Sequence, residues 1–209
     1  VLRIRGAAQG DHKSEQSHIA NYWSCFSYTA TPAGRWNDIL SGIFSTADER
    51  DLRKVARFYA ILNVALADAG LAAWDSKYHY EFWRPIQAIR QAGADGNPLT
   101  EPDEEWISLL ESPPHPEYVS GHSAFSGAGA AALAALFGSD TVHFVSHNPD
   151  YPDQDRHYTS LWACAEECGM SRIYGGIHFS FSNREGLKLG RRVAEYVVEN
   201  VFSSNPAAS

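Results

Sequence analysis

The sequence predicts an all-α fold, a bundle of five or six helices, on three observations. Apolar residues recur at helical spacing over long stretches, and a run of small residues is bracketed by a capping serine and a terminating glycine. No convincing period-2 alternation appears apart from a short ambiguous patch at Thr141 to Val145. With 209 residues, 44% of them hydrophobic, the chain is long enough to bury one substantial core, and no composition break calls for a second domain. Residues 1–209 are therefore read as a single helical domain without internal repeats, irregular over 1–45.

Along that first stretch, Gly and polar residues precede an aromatic segment, Tyr22 to Tyr28, and a Thr-Pro-Ala-Gly stretch at 31 to 34, which together read as loop plus a short helix. Thr46 and Glu49 have capping-box spacing. Leu52, Val55, Phe58, Tyr59, Leu62, Leu66 and Ala69 then mark a long amphipathic helix to about Trp74. Arg84-Pro85 signals a break and a restart to about Gln91, because proline suits only a first helical turn. Asp95 to Glu101 reads as loop and Asp103 to Leu110 as a short helix, followed by irregular chain at Pro113, Pro114 and Pro116. Ser120 opens the small-residue helix, and Gly138 is its C-cap. Ser139 to Arg156 reads as an excursion over the surface. Helices from about Thr159 to Tyr174 and from about Asn183 to Phe202 complete the chain, the last with Ser182 and Glu185 as a capping box.

A net charge of −8 argues against a broad nucleic-acid or anionic-membrane surface, since those partners are held by clustered Lys and Arg. Any anion site must be a local concentration of positive charge. The longest apolar runs, such as Ala128 to Phe137, fall short of the roughly 20 residues that span a bilayer, so no membrane span is expected. Cys25, Cys164 and Cys168 form neither a paired framework nor a zinc signature and read as small core residues. A chain that starts at Val1 with no recognisable signal sequence reads as a processed, trimmed or partial product.

Three separated segments each join a cation or histidine to a tight local geometry. In Lys77-Tyr-His-Tyr-Glu-Phe-Trp-Arg84-Pro85 the two cations are seven apart, about two helical turns, and share one face if the helix persists. In Val119-Ser120-Gly121-His122 a helix mouth offers free N–H groups and a positive dipole end, Gly121 permits close approach, and His122 can act as acid or base. In Ser171-Arg172-Ile-Tyr-Gly-Gly-Ile-His178 a planar guanidinium suits two oxygens of an oxoanion, and the glycines let His178 turn back toward it. Taken singly, Lys77 and Arg84 read as solvated charges, Ser120 as an N-cap, His122 as a surface residue and Arg172 as half of a salt bridge. Taken together and in order, they converge on a pocket for a tetrahedral oxoanion.

These segments resemble the signature shared by vanadium-dependent haloperoxidases and type 2 phosphatidic acid phosphatases. The matching positions are Lys77, Arg84-Pro85, Ser120-Gly121-His122, Ser171-Arg172 and His178. Leu62 to Arg90 and His115 to Gly129 also read like bacterial haloperoxidase homologues, so the likeness covers about two-thirds of the chain. Two positions depart from the pattern. Val119 replaces a proline, and Ser182 stands where the signature has an aspartate that orients the second histidine, which implies a less basic His178.

The resemblance implies a helical bundle of the vanadium chloroperoxidase and acid phosphatase type, with vanadate as cofactor. Lys77, Arg84, Ser120, Gly121 and Arg172 would bind its oxygens and His178 would be the axial vanadium ligand. His122 would serve as the acid–base group and Lys77 would polarise bound peroxide for attack by halide, giving hypohalous acid. The same cage implies a second chemistry, phosphoester hydrolysis through a phospho-histidine at His178 with His122 protonating the leaving alcohol; a third reading is a module that kept the fold without activity. Trp74, three before Lys77, and His115, seven before His122, resemble pocket residues of haloperoxidases and lean the reading toward hydrogen peroxide with bromide or iodide. His115 reads equally as a loop residue in solvent. The resemblance also implies a homo-oligomer, a secreted or periplasmic location, and a chain that corresponds to the C-terminal part of a double-bundle protein.

Overall fold

A computed structural model describes residues 15–25 and 29–201. The opening residues 1–14, Phe26 to Tyr28 of the aromatic segment, and Phe202 lie outside the described residues. The chain is a helical bundle, with α1 at Glu15–Tyr22, α2 at Pro32–Thr46, α3 at Leu52–Tyr80, α4 at Pro85–Arg90, α5 at Gly121–Phe137, α6 at Leu161–Tyr174 and α7 at Ser180–Asn200. One two-stranded antiparallel sheet, β1 (Phe144–Ser146) with β2 (Arg156–Tyr158), lies between α5 and α6, with Val145 opposite His157.

The organising element is α5, which packs against α7, α6 and α3. Its small residues are what permit this. A Cβ on Gly190 of α7 would stand 1.9 Å from the Ala124 carbonyl oxygen, and one on Gly127 would stand 2.3 Å from that of Leu187, so the two helices meet backbone to backbone. On the other side Trp36 of α2 lies over Gly129, where a Cβ would be 2.3 Å from the indole, and its Nε1 donates to Ser126 Oγ at 3.2 Å. Gly138 ends α5 at φ 72° in the left-handed region, as a C-cap glycine does. The main core joins α2, α3, α5 and α6 through Trp36, Leu40, Ile61, Leu62, Leu133 and Leu161, all fully buried.

Several boundaries differ from the sequence reading for local reasons. Thr46 closes α2, and the N-cap of α3 is Asp51, whose side chain accepts from the amides of Arg53 and Lys54. The long helix runs six residues past Trp74 to Tyr80, which keeps Lys77 helical. Asp103 to Leu110 is not a helix. Its backbone bonds to other elements, Trp106 accepting from Arg90 Nε at 2.9 Å and Leu110 donating to Gly175 at 3.0 Å. The excursion over 139–156 is partly inside the fold, since Ser146 accepts the Tyr22 hydroxyl and Phe144, Ser146 and Asn148 are buried. Ser182 does not cap α7. The helix begins at Ser180 with Phe179 as N-cap, and Ser182 is buried in its first turn. The segment Leu52–Arg90 is long and apolar enough to cross a membrane by length and composition alone, a property it shares with core helices of soluble bundles; in this fold α3 packs on α5, α7 and α2.

Candidate active site

Three chain turns meet at the mouth of α5. Ser120, its N-cap, accepts at Oγ from the Ser123 amide at 3.4 Å and the Ser123 hydroxyl at 2.8 Å. Gly121 follows under the Trp74 ring, where a Cβ would stand 3.1 Å from the indole. A cavity of about 570 Å³ opens there, walled by Trp74, His115, Gly121, His122, Arg172 and His178 and, from the chain after α1, by Ser24 and Cys25. The positive end of the α5 dipole faces this space.

The cations take different parts. Arg172, in the last turn of α6, is anchored by one bond from Nη1 to the Trp23 carbonyl at 3.0 Å, while its Nε is buried with no hydrogen-bond partner among the described residues. Burial lowers its pKa to about 10, so it remains a guanidinium at neutral pH. Arg84 donates to the carbonyls of Ile177 at 2.8 Å and His115 at 3.1 Å, and its Nη1 lies 3.1 Å from Nε2 of His178. Lys77 is fully buried, and each ammonium hydrogen has a carbonyl acceptor: Pro116 at 3.0 Å, Glu117 at 2.9 Å and Val119 at 2.6 Å. Burial, then the charge of Arg84, pushes the Lys77 pKa down to about 7. Lys77, Arg84 and Ser120 stand behind the cavity wall, whereas Arg172, Gly121 and both histidines form it.

Both imidazoles are neutral at physiological pH. Burial, then Arg172, holds His122 well below its usual value against the opposing pull of the Ser24 and Trp23 backbone, and its Nε2 is buried with no well-aligned hydrogen-bond partner among the described residues. Burial, then Arg84, does the same to His178, which is 6% exposed. His115 sits at the rim with its ring centroid 5.3 Å from that of Trp74 and its Nδ1 3.1 Å from Arg84 Nη2; burial lowers its pKa as well. Among the described residues no group of three or more His, Cys, Asp or Glu side chains gathers as a metal-ligand set. What gathers instead is a helix mouth, a guanidinium with an unused donor and two imidazoles, a lining suited to an oxoanion.

Two contributors were not apparent in the sequence. The chain after α1 lines the cavity with Ser24 and gives Arg172 its acceptor at Trp23, although more than 140 residues separate Trp23 from that arginine. Glu117, fully buried, places Oε1 2.7 Å from His178 Nδ1. The partner of His178 is thus Glu117, three residues ahead of the Ser120 cap. An acidic residue inside the apolar Pro116–Val119 stretch was the available signal.

Comparison with known proteins follows the same lines. The family described as the VCPO second helical-bundle domain matches residues 57–205. The vanadium chloroperoxidase of Curvularia inaequalis is 28% identical, over 72% of this chain and 33% of its own length. The vanadium-dependent bromoperoxidase of Ascophyllum nodosum is 34% identical, over 46% of this chain and 21% of its own. A crystal structure described as the first bacterial vanadium-dependent iodoperoxidase superposes with a TM-score of 0.81 at 34% identity, covering 90% of this chain and 44% of that one. An apo-type bacterial vanadium-dependent chloroperoxidase shares the fold at a TM-score of 0.71 and 21% identity. The chain therefore spans a third of the length of the fungal relative and less than half of the bacterial iodoperoxidase.

Proposed function

Because the chain belongs to the vanadium haloperoxidase family, through the second helical bundle of the VCPO type, we propose that it is a vanadate-dependent haloperoxidase using hydrogen peroxide to oxidise bromide or iodide. The observation that carries this reading is the pair of orphaned buried donors and acceptors at one cavity, Arg172 Nε and His122 Nε2, beside the α5 mouth and His178. Buried polar atoms without partners are rare in a folded protein, and an oxoanion would satisfy both. These residues fit vanadate by charge and by donor type. When bound, vanadate supplies the Lewis-acid centre at which peroxide becomes able to oxidise a halide.

In this proposal Arg172 and the Gly121 amide would hold the oxygens from the cavity wall, with Arg84, Lys77 and Ser120 supplying charge and a hydroxyl from behind it, and His178 would ligate the vanadium through Nε2. His122, neutral and facing the cavity, takes and returns the proton of incoming peroxide. An anion in the cavity favours the charged form of Lys77, which from behind the wall would be the cation whose field polarises peroxide. Trp74 and His115 line the halide approach, and the likeness to a bacterial iodoperoxidase supports iodide alongside bromide. We read residues 1–209 as one helical domain that carries this site.

The test is vanadate titration of the apo protein, followed by halogenation of a phenol-type dye with peroxide and each halide, beside hydrolysis of a generic phosphomonoester. Vanadate-dependent halogenation with iodide and bromide is expected, abolished in Arg172→Ala and His178→Ala. Phosphomonoester hydrolysis without halogenation would assign the cage to phosphoryl transfer through His178, and failure to bind vanadate would leave a fold without the activity.

A further inference from the structure

An imidazole that ligates through Nε2 needs that lone pair free of a proton and aimed at one place, and His178 has little secondary structure to aim it. It lies in the connection between Tyr174, where α6 ends, and Ser180, where α7 begins. Rotation about its two side-chain bonds and a choice of tautomer must be fixed by partners.

Both ring nitrogens have one. Nδ1 is 2.7 Å from Glu117 Oε1, and Nε2 is 3.1 Å from Arg84 Nη1. A guanidinium only donates, so Nε2 must accept; a carboxylate only accepts, so Nδ1 must carry the hydrogen. The two partners have fixed and opposite polarity, and they select the same tautomer. Glu117 is itself fixed. The same Oε1 accepts the Phe179 amide at 2.9 Å, tying the carboxylate to the residue after His178, and the Glu117 carbonyl holds Lys77. Its other oxygen, Oε2, is buried beside the buried Ser182 hydroxyl, which lowers the carboxylate's proton affinity, and among the described residues no other partner reaches either atom. A fully buried carboxylate is unfavourable to keep for packing alone, since an apolar side chain would fill the space without the desolvation.

We infer that Glu117 is the positioning residue of His178, its carboxylate holding Nδ1–H so that Nε2 keeps its lone pair, engaged here by Arg84 and available to a ligand that draws that guanidinium away. This deepens the vanadate-site reading and rests on it for its functional consequence. It also means that Ser182 leaves no vacancy behind His178, because the orienting carboxylate comes from the segment ahead of α5.

The experiment uses the full chain with Glu117→Ala and Glu117→Gln. In each, the protonated imidazole nitrogen of His178 is identified in the apo protein by ¹⁵N-resolved NMR at neutral pH, vanadate affinity is measured by calorimetry, and folding is checked by circular dichroism. Expected are an Nδ1–H tautomer in the wild type, loss of the hydrogen-bonded Nδ1–H signal in Glu117→Ala with about 10- to 100-fold weaker vanadate binding, and retention of that signal in Glu117→Gln, whose amide oxygen can still accept, with affinity within several-fold of wild type. A purely structural glutamate would lower thermal stability in both variants while leaving vanadate affinity alone, which would overturn the inference. An Nε2–H tautomer in the wild type overturns it even if Glu117→Ala does not fold. Should the wild type fail to take up vanadate, the cavity reading falls, and the imidazole signals alone then decide for or against Glu117.

Discussion

The same positive charge is used in opposite ways at Arg172 and Lys77. Arg172 keeps one donor unspent beside the cavity, whereas Lys77 commits all its hydrogens to the 116–119 segment. Their replacements should therefore fail differently. Lys77→Met leaves the buried carbonyls of Glu117 and Val119 without a donor, Pro116 keeping Arg84 Nη2, and at about 1–3 kcal/mol for each unsatisfied group urea unfolding should show a loss of about 2 kcal/mol or more, where Arg172→Ala mainly loses anion binding. A Lys77→Met midpoint equal to wild type would show that the carbonyls find water instead. Individual residues were legible to the extent that their chemistry is local. Ser120, Gly121, His122 and Arg172 could be named from segment grammar, since a helix mouth and a last-turn arginine need only neighbouring sequence. Glu117 and Trp23 could not, because their roles consist of one bond each to residues 61 and 149 positions away.

Among the elements, α5 and α7 depend on having no side chain where they cross. Gly190→Ala puts a methyl 1.9 Å from a backbone oxygen that cannot move without its helix, so a loss of about 3 kcal/mol or more is expected in chemical denaturation. Gly34→Ala in α2 is the matched control: its Cβ would meet Ala30 at 3.5 Å, ordinary contact, and should stabilise by up to about 1 kcal/mol through helix propensity. Equal effects from the two would contradict the close crossing. The run of small residues from Ser123 to Ala132 made this packing readable, as Gly138 did the end of α5. Helix starts were harder. Thr46 with Glu49 satisfies a capping pattern, yet Thr46 falls in the last turn of α2 and Asp51 does the capping. Asp103 to Leu110 has helical spacing, but its backbone bonds to Arg90 and Gly175 instead, a tertiary competition that periodicity does not register.

The molecule as a whole carries its buried titratable groups into its pH response. His122 and His178 remain neutral when folded, so below pH 6.5 the unfolded chain takes up protons that the folded one refuses, and stability falls with acidification. Glu117, with its pKa raised by burial, works in the other direction, one carboxylate against these two imidazoles and the half-buried His115. Lys77 has a folded pKa of about 7 against 10.5 for the free side chain, so between those values the unfolded state holds the extra proton and stability rises with pH. Urea midpoints of the apo protein should increase from pH 5.5 to 7.0 and again to 8.5, below the range where the buried thiols begin to oppose the trend. The second step has a limiting slope of about 1.4 kcal/mol per pH unit and should vanish in Lys77→Met; a flat profile in the wild type would mean that Lys77 stays charged. The bundle class was legible in the sequence because periodicity sums over many residues. The small β1–β2 ribbon was not, since three-residue strands carry too little alternation to register.

Trp23 has a wider consequence for where this fold can be cut. The stretch shared with the family starts at residue 57, yet the peptide oxygen steadying Arg172 and the indole filling the hollow over Gly129 come from residues 23 and 36. A fragment pared to 57–205 would keep every signature residue and still leave that guanidinium untethered and the hollow unfilled. The smallest piece able to grip an anion is therefore larger than the family's bundle of 57–205, and its doorframe is built from residues ahead of that bundle.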